Sequence, residues 1–241
     1  MLLKSAFIAL FSLYNVDTTM LQECKNETDK ISGCVKRDYH SNGNLWRERP
    51  FKNGDKEGIE KWYYENGNLE KEMPFKNDKV EGIAKRYDKM GNLQIEASFL
   101  NDRRQGDIRC YTTDKKLLAL LKAKNDKIII GKWYYENGNI KLEITYKDSK
   151  QEGVMKMYDT GGRLRAEVSA LNRVLHGDTK LYTEDKKLFA IIMMRYGETI
   201  FSKCFNGRVL TDKELSRHSI LNDTEKAINY LQDICLKESD S

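Results

Sequence analysis

Proline and histidine are scarce in this 241-residue chain, which has two of the first and three of the second. His40, His176 and His218 stand in unrelated contexts with no partner at ligand or triad spacing, which argues against a metal centre or a nucleophilic site. Pro50 and Pro74 fall at a polar offset of the pattern described below, where an edge or solvent-facing position is expected. Concentrated basic sequence is missing too. The net charge is only +5, with acids and bases interleaved, so nucleic acid is not an expected partner. The apolar run from Ser5 to Val16 is too short to span a bilayer. An apolar fraction of 39% against 33% charged residues suits a thin sheet with one wet face better than a thick core.

What the chain does have is periodicity. Tyr39, Tyr63, Tyr87, Tyr111, Tyr134, Tyr158 and Tyr182 are spaced 24, 24, 24, 23, 24 and 24 residues apart. Four residues after the tyrosine comes Gly43, Gly67, Gly91, Gly138 or Gly162. Asn42-Gly43, Asn66-Gly67 and Asn137-Gly138 have the composition of a type I′ hairpin turn. Six residues after it stands an aliphatic: Leu45, Leu69, Leu93, Leu117, Ile140, Leu164 or Leu188. From there even offsets are largely apolar and odd offsets polar, as in Ile140, Leu142, Ile144 and Tyr146 against Lys141, Glu143 and Thr145. That period of two marks a strand with one buried face. Gly58, Gly82, Gly106, Gly153 and Gly177, five residues before the next tyrosine, suit a turn into the following hairpin. One repeat therefore reads strand, Asn-Gly turn, strand, Gly turn.

A longer period overlies this one. Lys61 to Asn68 recurs letter for letter as Lys132 to Asn139, 71 residues on. The same shift carries Tyr111 to Leu117 onto Tyr182 to Leu188, so the array is a duplicated triplet of repeats behind one starter. Repeats four and seven lack the turn glycine, and their second strands, 117–121 and 188–194, are apolar on both faces. Short repeats of this kind cannot fold singly and must stack, and stacking creates a binding surface rather than a catalytic pocket.

The Tyr-x-x-x-Gly-Asn-Leu spacing, followed by Glu, an aromatic and a Gly turn, resembles the bacterial variant of the MORN repeat found in the YwqK-type antitoxin family. The likeness covers roughly residues 34 to 200 and rests mainly on the Tyr-Tyr-Glu-Asn-Gly-Asn segments. It implies an elongated, mainly β array of about seven β-hairpin repeats in one twisted antiparallel sheet. At roughly 4.8 Å per strand, about fourteen strands would extend about 65 Å. The repeats are expected at 36–59, 60–83, 84–107, 108–130, 131–154, 155–178 and 179–203. The resemblance implies little about activity, and no catalytic, cofactor or metal residue is assigned.

The termini read differently. Lys4 and the apolar run after it suit a secretory signal within residues 1–20, followed by a Cys-containing segment at 21–35. Around Cys24, Gln22 and Glu23 are poor residues for a lipidation box. Export, to a secreted or periplasmic and cell-envelope location with a cytoplasmic one as the alternative, agrees with the cysteines. Four of the five lie outside the regular repeats, and disulfides Cys24 to Cys34 and Cys204 to Cys235 are expected in an oxidising compartment. Cys110 reads as an inert core thiol. Residues 204–241 should form a helical cap. Thr211-Asp212-Lys213-Glu214 has capping-box spacing, and Ala227, Ile228, Leu231 and Ile234 form one apolar stripe. The helix is expected on the odd face of repeat seven, over Phe189, Ile191 and Met193.

Candidate partner-binding residues are Leu118 and Leu120, apolar in mid-array, and Tyr64 and Tyr135, which could stack on a sugar ring or peptide. Glu48, Glu72, Glu96, Glu143 and Glu167 form a charged row on the wet face that either sets register with lysines and arginines or grips a basic partner. Two function classes follow. One is a non-enzymatic exported scaffold that binds a host, cell-surface or secreted protein. The other is a YwqK-like antitoxin or immunity protein that covers a cognate toxin. Membrane-lipid binding is not expected, because no basic or amphipathic strip is evident.

Overall fold

The computed structural model describes residues 18–147, 150–216 and 224–237; the apolar start, nearly all of the expected signal segment and His218 lie outside them. The chain is mainly β, and among the described residues seventeen strands form one antiparallel sheet. By internal contacts it divides into two compact units, 1–117 with 122–126, and 118–121 with 127–241.

In the first unit β1 (Cys34–Tyr39) pairs with β2 (Leu45–Lys52), and a two-residue β3 (Asp55–Lys56) leads into β4 (Gly58–Tyr63). The pattern recurs through β5 (Leu69–Lys76), β6 (Lys79–Val80), β7 (Gly82–Tyr87), β8 (Leu93–Leu100) and β9 (Arg103–Tyr111). β10 (Leu117–Lys124) contributes to both units. The second unit continues with β11 (Lys127–Tyr134), β12 (Ile140–Lys147), β13 (Lys150–Tyr158), β14 (Leu164–Leu171), β15 (Val174–Tyr182), β16 (Leu188–Arg195) and β17 (Glu198–Cys204). The first strand of every repeat thus ends on its tyrosine, and the second begins on the aliphatic six residues later. Among the described residues three α-helices accompany the strands: α1 (Glu27–Ser32), α2 (Asp212–Ser216) and α3 (Thr224–Leu236).

Turn chemistry differs from the expectation. After each tyrosine the loop is five residues long, and in Asn42-Gly43, Asn66-Gly67 and Asn137-Gly138 only the glycine has positive φ. In repeat two the Tyr64 amide donates to the Asn68 carbonyl at 2.8 Å and the Gly67 amide to the Tyr64 carbonyl at 2.9 Å. The type I′ geometry, with positive φ at two successive residues, sits at the other end of the repeat. It occurs at Asn53-Gly54, Asn77-Asp78, Asn101-Asp102, Asn125-Asp126, Asn172-Arg173 and Tyr196-Gly197. Asn and Asp tolerate this region, and four of these six pairs contain no glycine.

The second glycine belongs to a bulge rather than a turn. Opposite Gly106, pairing jumps from Phe99↔Arg104 to Ala97↔Ile108, and Gly106 has φ 102°. A Cβ on Gly153 would stand 2.7 Å from the Thr145 hydroxyl, and one on Gly82 3.0 Å from the Pro74 ring. Glycine is required by both the conformation and the close approach. Pro50 and Pro74 occupy the facing position, and Pro50 is fully buried rather than solvent-facing. The one 23-residue interval has a physical reason: Ile129 stands where the bulge glycine would be, no positive φ occurs between Asp126 and Gly138, and the chain is one residue shorter.

The outermost strands are covered by the disulfide-tied segments. The Val35 amide donates to the Gln22 carbonyl and the Cys24 amide to the Val35 carbonyl, with Cys24 bonded to Cys34 across a Cα separation of 5.2 Å. In the second unit, beside β17, the Ser202 hydroxyl donates to the Leu210 carbonyl at 2.7 Å and the Cys204 amide to the Arg208 carbonyl at 2.8 Å, with Cys204 bonded to Cys235. Covered edges do not recruit further strands.

The core lies in the second unit, where Met155, Met157, Ala166, Val168, Leu181, Phe189, Ala190 and Ile192 meet Leu210, Ile228, Leu231 and Cys235. α3 therefore packs on the even face, correcting the expected odd one. A bulge explains why Phe189 is nevertheless buried. Tyr182 pairs with Leu188 and Leu181 with Ala190, so Phe189 is the extra residue and joins the even side, while Met193 stays 43% exposed. The capping box forms as expected, with the Thr211 amide donating to the Glu214 carboxylate at 2.8 Å.

Candidate interaction surfaces

The odd face is a ladder in which the repeated spacing of tyrosine and glutamate acquires a reason. The hydroxyl of Tyr63 donates to Glu48 at 3.0 Å, Tyr87 to Glu72 at 2.9 Å, Tyr111 to Glu96 at 2.8 Å and Tyr182 to Glu167 at 2.8 Å. Each glutamate is also flanked across both neighbouring strands by a base: Glu48 by Arg37 and Lys61, Glu72 by Lys61 and Lys85, Glu143 by Lys132 and Lys156. Arg37 to Glu48 at 3.1 Å and Lys132 to Glu143 at 2.9 Å are direct ion pairs. Burial, then the neighbouring glutamates, pushes the Tyr63 and Tyr87 hydroxyls far above the usual tyrosine range, and Tyr182 up to about 12. The row is internally neutralised, so its carboxylates serve register more than they offer a free acidic strip. Leu120 and Ile191 stand at the ladder positions of repeats four and seven. Leu120 is half-buried.

A second ladder runs along the loops. Asn42 and Asn44 both donate to the Glu65 carbonyl, Asn66 and Asn68 to that of Lys89, and Asn137 and Asn139 to that of Thr160. Tyr64 and Tyr135 extend it, donating at 2.8 Å to the carbonyls of Tyr87 and Tyr158. His40 Nε2 is 2.8 Å from the Tyr63 carbonyl. The Asn-Gly-Asn signature is thus a device for stacking one repeat on the next. The two tyrosines singled out for partner contact have their hydroxyls engaged in it, with Lys141 seated over the Tyr135 ring.

The inner, even face changes character between units. In the first unit it carries Asp38, bonded to Arg47 at 2.9 Å and Arg49 at 2.7 Å, and a nearly fully buried Glu60 with Arg49 at 3.4 Å. Burial raises the Glu60 carboxyl despite these cations. In the second unit the same face is apolar, and α3 covers part of it. Sequence reasoning missed the residue that orients this helix, Arg165. Only 4% of its side chain is exposed; it donates to the Tyr182 carbonyl, Asn229 and Gln232, and lies 3.9 Å from Asp159. It is the extra residue of the bulge at Tyr158↔Leu164 and Met157↔Ala166, a position that looks solvent-facing by period-two counting.

Leu118 is 45% exposed. Cys110 is a half-buried free thiol, raised by burial. Among the described residues no cluster of three or more metal-ligating side chains occurs, and no helix is long and apolar enough to cross a membrane.

Four segments, 35–53, 56–77, 80–101 and 129–148, match the family model of the MORN repeat variant, together about a third of the chain. No curated protein matches it.

Proposed function

We propose that this chain is a non-enzymatic, exported repeat scaffold that binds a protein partner through the face of its sheet. One observation carries the reading. Seven residues after the tyrosine, repeats two, three, five and six are polar and the starter carries a 40% exposed Trp46, while the duplicated repeats four and seven carry Leu118 and Phe189; of this pair only repeat seven covers its own, for Phe189 is 1% exposed beneath α3, whereas Leu118, 71 residues earlier, is 45% exposed. A solvent-exposed leucine whose duplicate is buried under a helix is the mark of a surface kept for an interaction. Export is supported by the two disulfides, which persist in oxidising compartments.

A photoreactive phenylalanine analogue placed at positions 118, 64 and 193 of the full chain, expressed in its native producer, tests this. The expected result is a covalent protein adduct from at least one position, with the mature chain recovered outside the cytoplasm and its four paired cysteines blocked to alkylation. Correctly folded protein that gives no adduct at any position would refute the scaffold reading. Free thiols in a cytoplasmic protein would refute export.

A further inference from the structure

The position seven residues after the repeat tyrosine marks a row along the helix-bearing side of the second compact unit. Phe189 on that row packs with Ile228 and Leu231, and Arg165 bonds Asn229 and Gln232. Lys141 lies over the ring of Tyr135, whose hydroxyl burial and the Glu225 carboxylate push upward. α3 therefore runs across the strands, from the Cys204 to Cys235 bond at β17 toward the loop after β11. Its thirteen residues reach roughly 20 Å, about four strand spacings of ~4.8 Å, so it stops before the row does.

By the 71-residue duplication Leu118 is the counterpart of Phe189, and so the next member of the row. Beside it on β10 and β11 the apolar face continues. A Cβ on Gly131 would stand 2.7 Å from the Trp133 ring and 2.9 Å from Leu121, which puts those two side chains on one side, with Ile129 beside them by the period of the strand. Trp133 pairs with Leu142, which packs against the α3 core, so the uncovered patch is continuous with the covered one. Leu118 and Ile129 are 45% and 38% exposed.

We infer that Leu118, Leu121, Ile129 and Trp133 form a docking site for an amphipathic α-helix of the partner protein, lying in line with α3 on the same sheet face. The inference rests on the scaffold reading and deepens it. The occupant's chemistry follows from the duplication. Ala190 and Ile192, beneath α3, recur as Ala119 and Leu121, so the site suits the kind of stripe that α3 presents, small and branched apolar residues at Ala227, Ile228 and Leu231.

A labelled peptide of residues 224–237 with Cys235→Ser, added to the oxidised full chain whose own α3 is held by its disulfide, is the probe. It should bind saturably, while a scrambled peptide of equal composition should not. Leu118→Ser and Ile129→Ser should each weaken binding roughly tenfold, as loss of a buried aliphatic contact implies, whereas Leu120→Ser on the opposite face should leave it unchanged. Circular dichroism and the thermal midpoint establish that each variant is folded; should Leu118→Ser unfold, Leu118→Ala provides the same comparison. No saturable binding, or binding indifferent to positions 118 and 129, overturns the inference. Adducts in the producer without peptide binding would sink this site alone and leave the scaffold standing.

Discussion

Replacing Arg165 by methionine keeps a long apolar stem at the site but deletes the guanidinium that ties the sheet to α3. The change removes hydrogen bonds of 3.1 Å to the Tyr182 carbonyl, 3.0 Å to Asn229 and 3.1 Å to Gln232, and a 3.9 Å ion pair with Asp159. Hydrogen bonds to a charged group contribute ~1.5–3 kcal/mol, and removing one member of a buried pair costs ~3–5 kcal/mol. Asp159 is not orphaned, because Arg163 still bonds it at 2.8 Å, and that places the expected loss near the lower end, about 3 kcal/mol. Little screening discount applies, since the side chains of Arg165 and Asp159 are only 4% and 3% exposed. The companion substitution Arg163→Met, at a solvent-screened side chain 43% exposed, should cost clearly less than Arg165→Met. Guanidinium unfolding followed by circular dichroism gives the two losses, and amide hydrogen exchange locates them; α3 should lose protection before the strands of the first unit do. If Arg165→Met costs less than ~1 kcal/mol, or α3 exchanges as in the parent, the anchoring role assigned to this arginine is wrong.

The tyrosine ladder predicts a loss of stability in alkali. Burial and the Glu167 hydrogen bond raise Tyr182 to about 12, so its contribution is complete below the unfolded value of ~10 and disappears as pH climbs from there toward 12. Unfolding free energy measured across that range should fall less steeply in Tyr182→Phe, and an identical slope would contradict the assignment. At the bulges, Gly153→Ala should destabilise by about 1–3 kcal/mol, through its positive φ and a Cβ 2.7 Å from the Thr145 hydroxyl, and by more than Gly67→Ala, which meets open space. Equal thermal midpoints for the two variants would count against the close approach. For the disulfides, chain-entropy arguments give about 4 kcal/mol for the separation of 31 residues between Cys204 and Cys235 and about 3 kcal/mol for the ten between Cys24 and Cys34. Paired serine substitutions should follow that order in denaturant midpoints, and the reverse order would show that loop length is not what governs them.

Much of the fold is local chemistry and could be read directly. Strands that start on the aliphatics and end on the tyrosines follow from a period of two bounded by loop residues, and the cysteine pairings follow from their placement outside the repeats. These properties depend on neighbours along the chain or on identical spacings repeated many times. The same signal locates the Asn-Gly-Asn loops but not their purpose, because Asn66 and Asn68 satisfy a carbonyl at Lys89, more than twenty residues away.

What only the tertiary structure decided turns on the bulges. A single extra residue in each of the last two repeats moves position seven onto the helix-bearing side, so Phe189 enters the core and Arg165 becomes the anchor of α3. Strict alternation assigns both to the opposite side. A bulge is set by how two strands pair rather than by the residues of either one, and a helix's reach across a sheet depends on its length and on where its disulfide holds it. The sequence alone determined which segments pair and where the chain is stapled; three-dimensional pairing determined which side each residue faces, and so which surface is left for a partner.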